Sequence, residues 1–276
     1  MNKSVILKRR PDGPARLDDF AIKDQSIPEP GDDEILVRQR YFSVDPYLRG
    51  RMDDVRTYTT PFELGEPFES DGIGEVIESR HPDFKPGDWV MAAMPWQEIC
   101  CVTVEPSLPV HFRRIDPDDV PVTYHLGLLG MPGQTAWTGL KGLGQPKAGE
   151  TVFVSAASGA VGSTVGQIAK LLGCRIVGSA GSDEKVDFLL NDLQFDAAFN
   201  YKTEPDLTSA VRRCCPDGVD VNFENVGGPL MEAVYDNMNI FSRMIVCGLI
   251  SRYQTKDAQL GPPIMPVLIK RIRIQG

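Results

Sequence analysis

The pattern of hydrophobic residues changes near residue 125 and divides the chain into two parts. Before it, short runs of β-branched and aromatic residues alternate with proline and glycine turns, without a long amphipathic helix pattern. Runs of this kind predict short strands, and several at this spacing are typical of a compact β-barrel. The predicted strands cover residues 34–43, 72–79, 88–94 and 97–104.

After residue 125, short apolar runs alternate with segments of helical period, beginning with a helix predicted at residues 131–137. Two later helices carry apolar faces, made of Val186, Leu189 and Leu190 in one and of Leu230, Val234 and Met238 in the other. This alternation predicts an α/β fold with a doubly wound parallel sheet. Its predicted strands are residues 151–155, 175–180, 196–200, 219–224, 244–247 and 271–275.

The first of these strands runs into a small-residue loop that contains Gly159 and Gly162. A helix follows, with Val165, Ile168, Ala169 and Leu172 on one face. Strand, glycine turn and helix can bind a pyrophosphate, because the unpaired N–H groups and the dipole at a helix N-terminus favour an anion. The loop lacks the third glycine of the full fingerprint, so taken alone it also fits a turn that binds nothing.

The end of the second strand indicates which dinucleotide would bind. NAD sites usually place an acid about 20 residues past the glycine loop, and that count selects Asp183. The strand is predicted to end near Ala180, however, where no carboxylate stands, and Ser182 or Asp183 is placed to cap the next helix. With Lys185 close behind, the sequence favours NADP. Later strands end in Gly227, Gly228 and Gly248, which allow a flat ligand to approach the backbone.

Composition narrows the class of protein. The chain has 276 residues, 42% hydrophobic and 24% charged, with a net charge of −9. The hydrophobic and charged fractions are typical of a soluble globular protein, and the net charge argues against nucleic acid as the main partner. Without a membrane-length apolar run or a signal-peptide core, we expect a cytoplasmic protein. The six cysteines and three histidines lack ligand spacing, which predicts no metal.

Assembled, these motifs resemble the zinc-independent medium-chain dehydrogenases/reductases. The resemblance extends over residues 5–276 and is closest to the group of prostaglandin and leukotriene reductases, plant double-bond reductases and bacterial NADPH-dependent curcumin reductases. It rests on residues 43–52, 127–133, 156–162, 178–185, 224–228 and 247–251. It implies a GroES-like barrel over residues 1–122 and an NADP-binding Rossmann domain over residues 123–276. It also implies hydride transfer from NADPH to the β-carbon of an α,β-unsaturated ketone or aldehyde.

The same resemblance implies roles for individual residues. Lys185 and Tyr201 would hold the 2′-phosphate with Ser182 nearby, while Asn225 and residues 247–250 would line the ribose and nicotinamide. The complete implied cofactor set is Thr135, Ala157, Gly159, Ala160, Val161, Gly162, Gly181, Ser182, Lys185, Tyr201, Asn225, Cys247, Gly248, Leu249 and Ile250.

Two tyrosines are the implied catalytic residues. Hydride addition gathers charge on the carbonyl oxygen and leaves the α-carbon to be protonated, so the site needs a hydrogen-bond donor and a proton source. Tyr253 would orient the nicotinamide ribose or supply that proton, and Tyr47 would lie at the substrate mouth. Alternatively, Tyr253 anchors its loop, Tyr47 packs into the barrel, and water supplies the proton.

The chain departs from its relatives at two places. Gln194 stands where they have glycine, and the sequence stops at Gly276 where they continue into segments that complete the barrel. A truncated chain would expose apolar surface and could be a catalytically inactive dinucleotide-binding or interaction protein. A quinone reductase of the same superfamily is the other alternative. The resemblance also implies a homodimer, in which the last strand, residues 271–275, pairs with its copy in the partner.

Overall fold

Two units make up the chain in the computed structural model, Met1–Met131 and Pro132–Gly276. The structure describes residues 1–104, 112–255 and 261–276. Within these ranges no helix is both long and apolar enough to cross a membrane. The expected fold class is confirmed, because the first unit is built of antiparallel strands and the second of six parallel strands.

The first unit is an antiparallel sheet with a separate hairpin. Five strands follow the order β6-β3-β4-β5-β7, and β1 pairs with β2. The four strands predicted here are present, although β4 begins at Glu69 rather than at residue 72. Its elements are β1 Asn2–Leu7, β2 Phe20–Gln25, β3 Glu34–Phe42, α1 Tyr47–Arg51, β4 Glu69–Ser79, β5 Trp89–Pro95, β6 Ile99–Thr103 and β7 Phe112–Ile115.

The second unit is a parallel sheet of order β10-β9-β8-β11-β12-β13. Because the order reverses between β8 and β11, a crevice forms there at the carboxyl ends of the strands, where ligands bind in open α/β sheets. Its elements are α2 Met131–Trp137, β8 Thr151–Val154, α3 Ala160–Leu171, β9 Arg175–Ala180, α4 Asp183–Asp187, β10 Ala197–Asn200, α5 Leu207–Cys214, β11 Val219–Glu224, α6 Gly228–Asp236, β12 Met238–Val246, α7 Met265–Lys270 and β13 Arg273–Gln275.

The boundary between α6 and β12 differs from its prediction. Helix α6 ends at Asp236, and Met238 is the first residue of β12 rather than part of the helix. Met238 is nevertheless buried in the same core cluster as Leu230 and Val234. Met238 is apolar because it belongs to the core, and it is not part of the apolar face of the helix. The predicted helix was therefore too long and the predicted strand too short.

The ring of Phe195 fixes α3 against the sheet. A Cβ on Gly166 would lie 2.2 Å from this ring, and one on Gly178 would lie 3.0 Å from it. The preceding residue, Gln194, has a φ of 57°, in the left-handed region that favours glycine. A glycine would adopt this turn without strain, whereas Gln194 adopts it at some cost.

Candidate functional site

The turn after β8 has little room for side chains. Ala156 has a φ of 50°, and the N–H of Ala157 donates to Ser179 O over 3.0 Å. A Cβ on Gly162 would lie 2.5 Å from Ala156 O and 2.8 Å from Ala157 Cα. Only glycine fits there, so Gly162 allows the first turn of α3 to pack directly on the loop.

The N-terminus of α3 presents free donors at this turn. Gly159 is the N-cap residue and its position has no side-chain cap, so the first N–H groups of the helix, from Ala160, Val161 and Gly162, have no intrahelical acceptor. With the helix dipole they form an arrangement suited to an anion such as pyrophosphate. The predicted residues Ala157, Gly159, Ala160, Val161 and Gly162 therefore lie together.

A second group of predicted residues meets at the end of β9. A Cβ on Gly181 would lie 3.2 Å from the hydroxyl oxygen of Tyr201 and 3.3 Å from Cε of Lys202. Ser182 caps α4 by accepting a hydrogen bond from the N–H of Lys185 over 3.4 Å, which confirms the predicted cap. Lys185 and Lys202 are both exposed. Lys202 was missed in the sequence, although it directly follows a predicted site residue.

Asp183, the acid that follows the glycine loop by about 20 residues, has a hydrogen-bond partner. Asp183 Oδ1 accepts a hydrogen bond from Asn200 Nδ2 over 2.7 Å, and Asn200 Oδ1 accepts the backbone N–H of Lys202 over 3.1 Å. Asn200 thereby holds α4 and the turn after β10 together. The carboxylate of Asp183 contributes to this bracing, and the cluster around Gly181 offers hydroxyl and ammonium donors.

The loops after β11 and β12 form a third group. Glu224 O accepts the N–H groups of Cys247 and Gly248 over 2.9 and 3.0 Å, and Asn225 O accepts the N–H of Ile250 over 3.1 Å. Asn225 Nδ2 donates to Ser155 O over 2.8 Å, so this group is tied to the turn after β8. The predicted residues Asn225, Cys247, Gly248, Leu249 and Ile250 thus lie on two adjoining loops.

Cys247 is a thiol with little nucleophilic character. Burial and, secondarily, the negative charge of Glu224 raise the pKa of Cys247 to about 11. At neutral pH the group is therefore the neutral thiol, which packs as a small apolar side chain beside the loop.

Tyr253 follows the 3₁₀ turn Ile250–Arg252 and is half-buried. Its hydroxyl oxygen accepts the N–H of Leu249 over 3.1 Å, and a Cβ on Gly248 would lie 3.1 Å from the same oxygen. This hydrogen bond is the one that a loop anchor would make. It also places a phenol next to the backbone that is expected to line the nicotinamide.

Tyr47 belongs to the first unit, where it begins α1 and packs beside the buried cluster of Leu48 and Phe68. Burial, together with the negative charges of Asp71 and Asp45, raises the pKa of Tyr47 to about 12. The phenol is therefore protonated at neutral pH and can donate a hydrogen bond. Thr135, the remaining predicted residue, lies half-buried in α2 of the second unit.

A buried carboxylate missed by the sequence analysis lies behind these loops. Glu224, at the end of β11, is 0% exposed. Its Oε1 accepts the Ser155 hydroxyl over 2.9 Å and the N–H groups of Val226 and Gly227 over 2.7 and 2.8 Å. The signal was an acidic residue at the end of an otherwise apolar strand. No group of three potential metal ligands occurs among the residues that the structure describes.

Two family models match the chain. Residues 3–110 match the N-terminal domain of oxidoreductases, and residues 160–276 match a domain described as zinc-binding dehydrogenase.

Individual relatives are similar over the whole chain. An NADP-dependent 2-alkenal reductase of Nicotiana tabacum is 45% identical over an aligned length of 280 residues, and the alignment covers 100% of this chain and 80% of the relative. The NADPH-dependent curcumin reductase of Escherichia coli K12 is 39% identical over 100% of this chain and 79% of the relative. Among solved structures, CurA from Vibrio vulnificus in complex with NADPH superimposes with a TM-score of 0.92 at 39% identity, covering 99% of this chain and 81% of that one.

The two loop glycines should respond differently to a methyl group. Gly162→Ala places its Cβ against backbone atoms and should lower the free energy of unfolding by about 2 kcal/mol. Gly159→Ala meets only Ala156 O, at 3.3 Å, and should cost less than about 1 kcal/mol as an N-cap change. Equilibrium unfolding in urea measures both. Equal losses for the two variants would contradict the packing described for Gly162.

Proposed function

Since the chain belongs to the medium-chain dehydrogenase/reductase family, in the group of the alkenal, pulegone and curcumin reductases, we propose that it is an NADPH-dependent alkene reductase. The reaction is reduction of the C=C bond of an α,β-unsaturated ketone or aldehyde. The observation that supports this proposal most strongly is that three groups of residues lie at one edge of the sheet. They are the α3 N-terminus, the Gly181 cluster and the loops after β11 and β12. The proposed domains are a GroES-like barrel, residues 1–122, and an NADP-binding domain, residues 123–276.

The residues present fit NADP(H). We assign the pyrophosphate to the α3 N-terminus, where Gly159 and Gly162 leave the backbone accessible. We assign the 2′-phosphate to the hydroxyl and ammonium groups around Gly181, because charge-assisted hydrogen bonds to phosphate are strong. These groups belong to Ser182, Lys185, Tyr201 and Lys202. We assign the ribose and the nicotinamide to Asn225 and residues 247–250, with Thr135 beside them. The bound cofactor supplies the hydride that adds to the β-carbon.

The chain itself supplies donors for the rest of the reaction. The carbonyl oxygen gains negative charge as hydride arrives, and a positioned donor stabilises that charge. A phenolic O–H is a hydrogen-bond donor, so Tyr253 is proposed as the donor or proton source and Tyr47 as a substrate-binding donor. Since Tyr253 also accepts the N–H of Leu249, its catalytic and anchoring contributions have to be separated by kinetics.

Turnover on a substrate panel tests the proposed reaction. Oxidation of NADPH should occur with enones and enals and be slow with quinones and saturated aldehydes. Tyr253→Phe should lower kcat at saturating NADPH by about tenfold or more, the lower range of general acid catalysis. Tyr41→Phe, in a half-exposed tyrosine of β3, is the matched control.

Three outcomes would count against this proposal. A preference for quinones would favour the quinone reductase alternative. Binding of NADPH without turnover would favour the inactive dinucleotide-binding protein. If Tyr253→Phe raised only the KM for NADPH, the side chain would be a loop anchor and the proton would come from elsewhere.

Discrimination between coenzymes tests the 2′-phosphate assignment. Lys185→Ala and Lys202→Ala should each lower the ratio of kcat/KM for NADPH to that for NADH by about tenfold, because a charge-assisted bond to phosphate is lost. Lys170→Ala, at the far end of α3, is the control and should leave the ratio unchanged. An unchanged ratio for Lys202→Ala would remove Lys202 from the site.

We also propose a homodimer. Strand β13 is an edge strand of the parallel sheet, and apolar residues are exposed nearby: Ile240 and Phe241 on β12 and Leu268 and Ile269 on α7. Burial of this surface in a partner would remove it from water. Sedimentation velocity should give a dimer for the native chain and a monomer for Leu268→Glu, while Leu171→Glu, at the exposed last residue of α3, should stay dimeric. A monomeric native chain would contradict this proposal.

The cytoplasm is the proposed compartment, supported by six cysteines that are all free thiols, as is usual in reducing surroundings. The proposed reaction takes place without zinc.

A further inference from the structure

We propose that Glu224 is a positioning residue for the dinucleotide. Its buried carboxylate fixes the loop after β11, and through Val226 the loop after β12, relative to the turn after β8, so that cofactor affinity depends on this carboxylate. The inference rests on the proposed function in that it takes these loops to be the cofactor-facing ones.

The carboxylate is saturated with donors. Besides the Ser155 hydroxyl and the N–H groups of Val226 and Gly227 on Oε1, Asn222 Nδ2 donates to Oε2 over 3.2 Å. Four donors thus surround this fully buried side chain, whose two oxygens act as acceptors. Within the described parts of the chain no lysine or arginine forms an ion pair with Glu224.

The hydrogen bonds of Glu224 extend to each loop, from its carboxylate to the loop after β11 and from its backbone carbonyl to the loop after β12. The Ser155 hydroxyl that donates to Glu224 also accepts the N–H of Asn225 over 2.8 Å. Glu224 O accepts two N–H groups of the loop after β12, and Val226 O accepts the N–H of Ser251 over 3.0 Å. A single residue therefore holds the first position of the phosphate-binding turn and both loops on the other side of the crevice.

Among the residues that the structure describes, the Glu224 carboxylate is stabilised by hydrogen bonds and not by an ion pair, so the strength of these bonds decides how firmly the loops are held. Hydrogen bonds to an ionised acceptor are about twice as strong as those between neutral groups. Replacing Glu224 by glutamine keeps the shape and one acceptor oxygen, and Asn222 Oδ1, which is buried without a hydrogen-bond partner, can accept from the new amide if Asn222 rotates. Glu224→Gln therefore weakens the bonds to the loops without leaving a cavity.

Two variants and two measurements test this inference. Glu224→Gln removes the charge, and Ser155→Ala removes the hydroxyl that links Glu224 to Asn225. Glu232→Gln, on the exposed side of α6, is the control. The dissociation constant of NADPH is measured by coenzyme fluorescence. Hydrogen exchange of the ligand-free protein is measured at residues 225–228 and 247–251, and urea unfolding verifies that each variant is folded.

We expect Glu224→Gln to weaken NADPH binding by about tenfold, since the three bonds to Oε1 lose their charge assistance, and to speed amide exchange in both loops. Ser155→Ala should act in the same direction. The double variant should be weaker than Glu224→Gln by less than the effect of Ser155→Ala alone, because the two residues share one network. The kcat at saturating NADPH should change by less than about threefold, since a positioning residue acts on binding.

Unchanged exchange in both loops for the folded variants would overturn the proposal, as would a loss of kcat with unchanged NADPH affinity. If Glu224→Gln does not fold, Ser155→Ala decides alone. If the native chain fails to bind NADPH, the proposed function is wrong. In that case the exchange measurement still reports whether Glu224 holds the loops.

Discussion

Helix α3 begins in contact with the turn that follows β8, and the candidate cofactor site depends on this close approach. Gly162 lies so near to Ala156 that a Cβ would overlap the backbone. The contact brings the first N–H groups of the helix to the carboxyl edge of the sheet, beside the point where the strand order reverses. An anion bound there meets oriented donors without any reorganisation of the chain. The Phe195 ring against Gly166 and Gly178 supports the same approach from the side of β9.

Buried polar groups complete the site by joining elements that are far apart in sequence. Ser155 and Glu224, 69 residues apart, share a hydrogen bond inside the sheet edge, and Asn200 bridges α4 and the turn after β10. Such networks stabilise one arrangement of the loops when every member is satisfied. The apolar strands set the position of the crevice, and these polar contacts set the shape of its walls.

The sequence predicts elements best where one pattern has one cause. Strands β9 and β11 have the predicted bounds because each carries β-branched residues and is followed directly by glycine or a polar residue. Met238 was wrongly assigned to a helix, because a core position is apolar both in a helix and in a strand. The Gly181 cluster was predicted only in part, since Lys202 reaches it through a turn whose shape is set by the Asn200 side chain. For Tyr253, the identity of the residue does not reveal that its hydroxyl accepts a backbone N–H.

Hydride transfer to the β-carbon of an enone is tested most directly by the position of an isotope label in the product. A straight-chain enone is reduced in ordinary water with NADPH that carries deuterium at both positions of the nicotinamide C4, and the product is analysed by NMR. We expect a saturated ketone with one deuterium at the β-carbon and ordinary hydrogen at the α-carbon. Deuterium at the carbonyl carbon of an allylic alcohol, or a product without label, would contradict it.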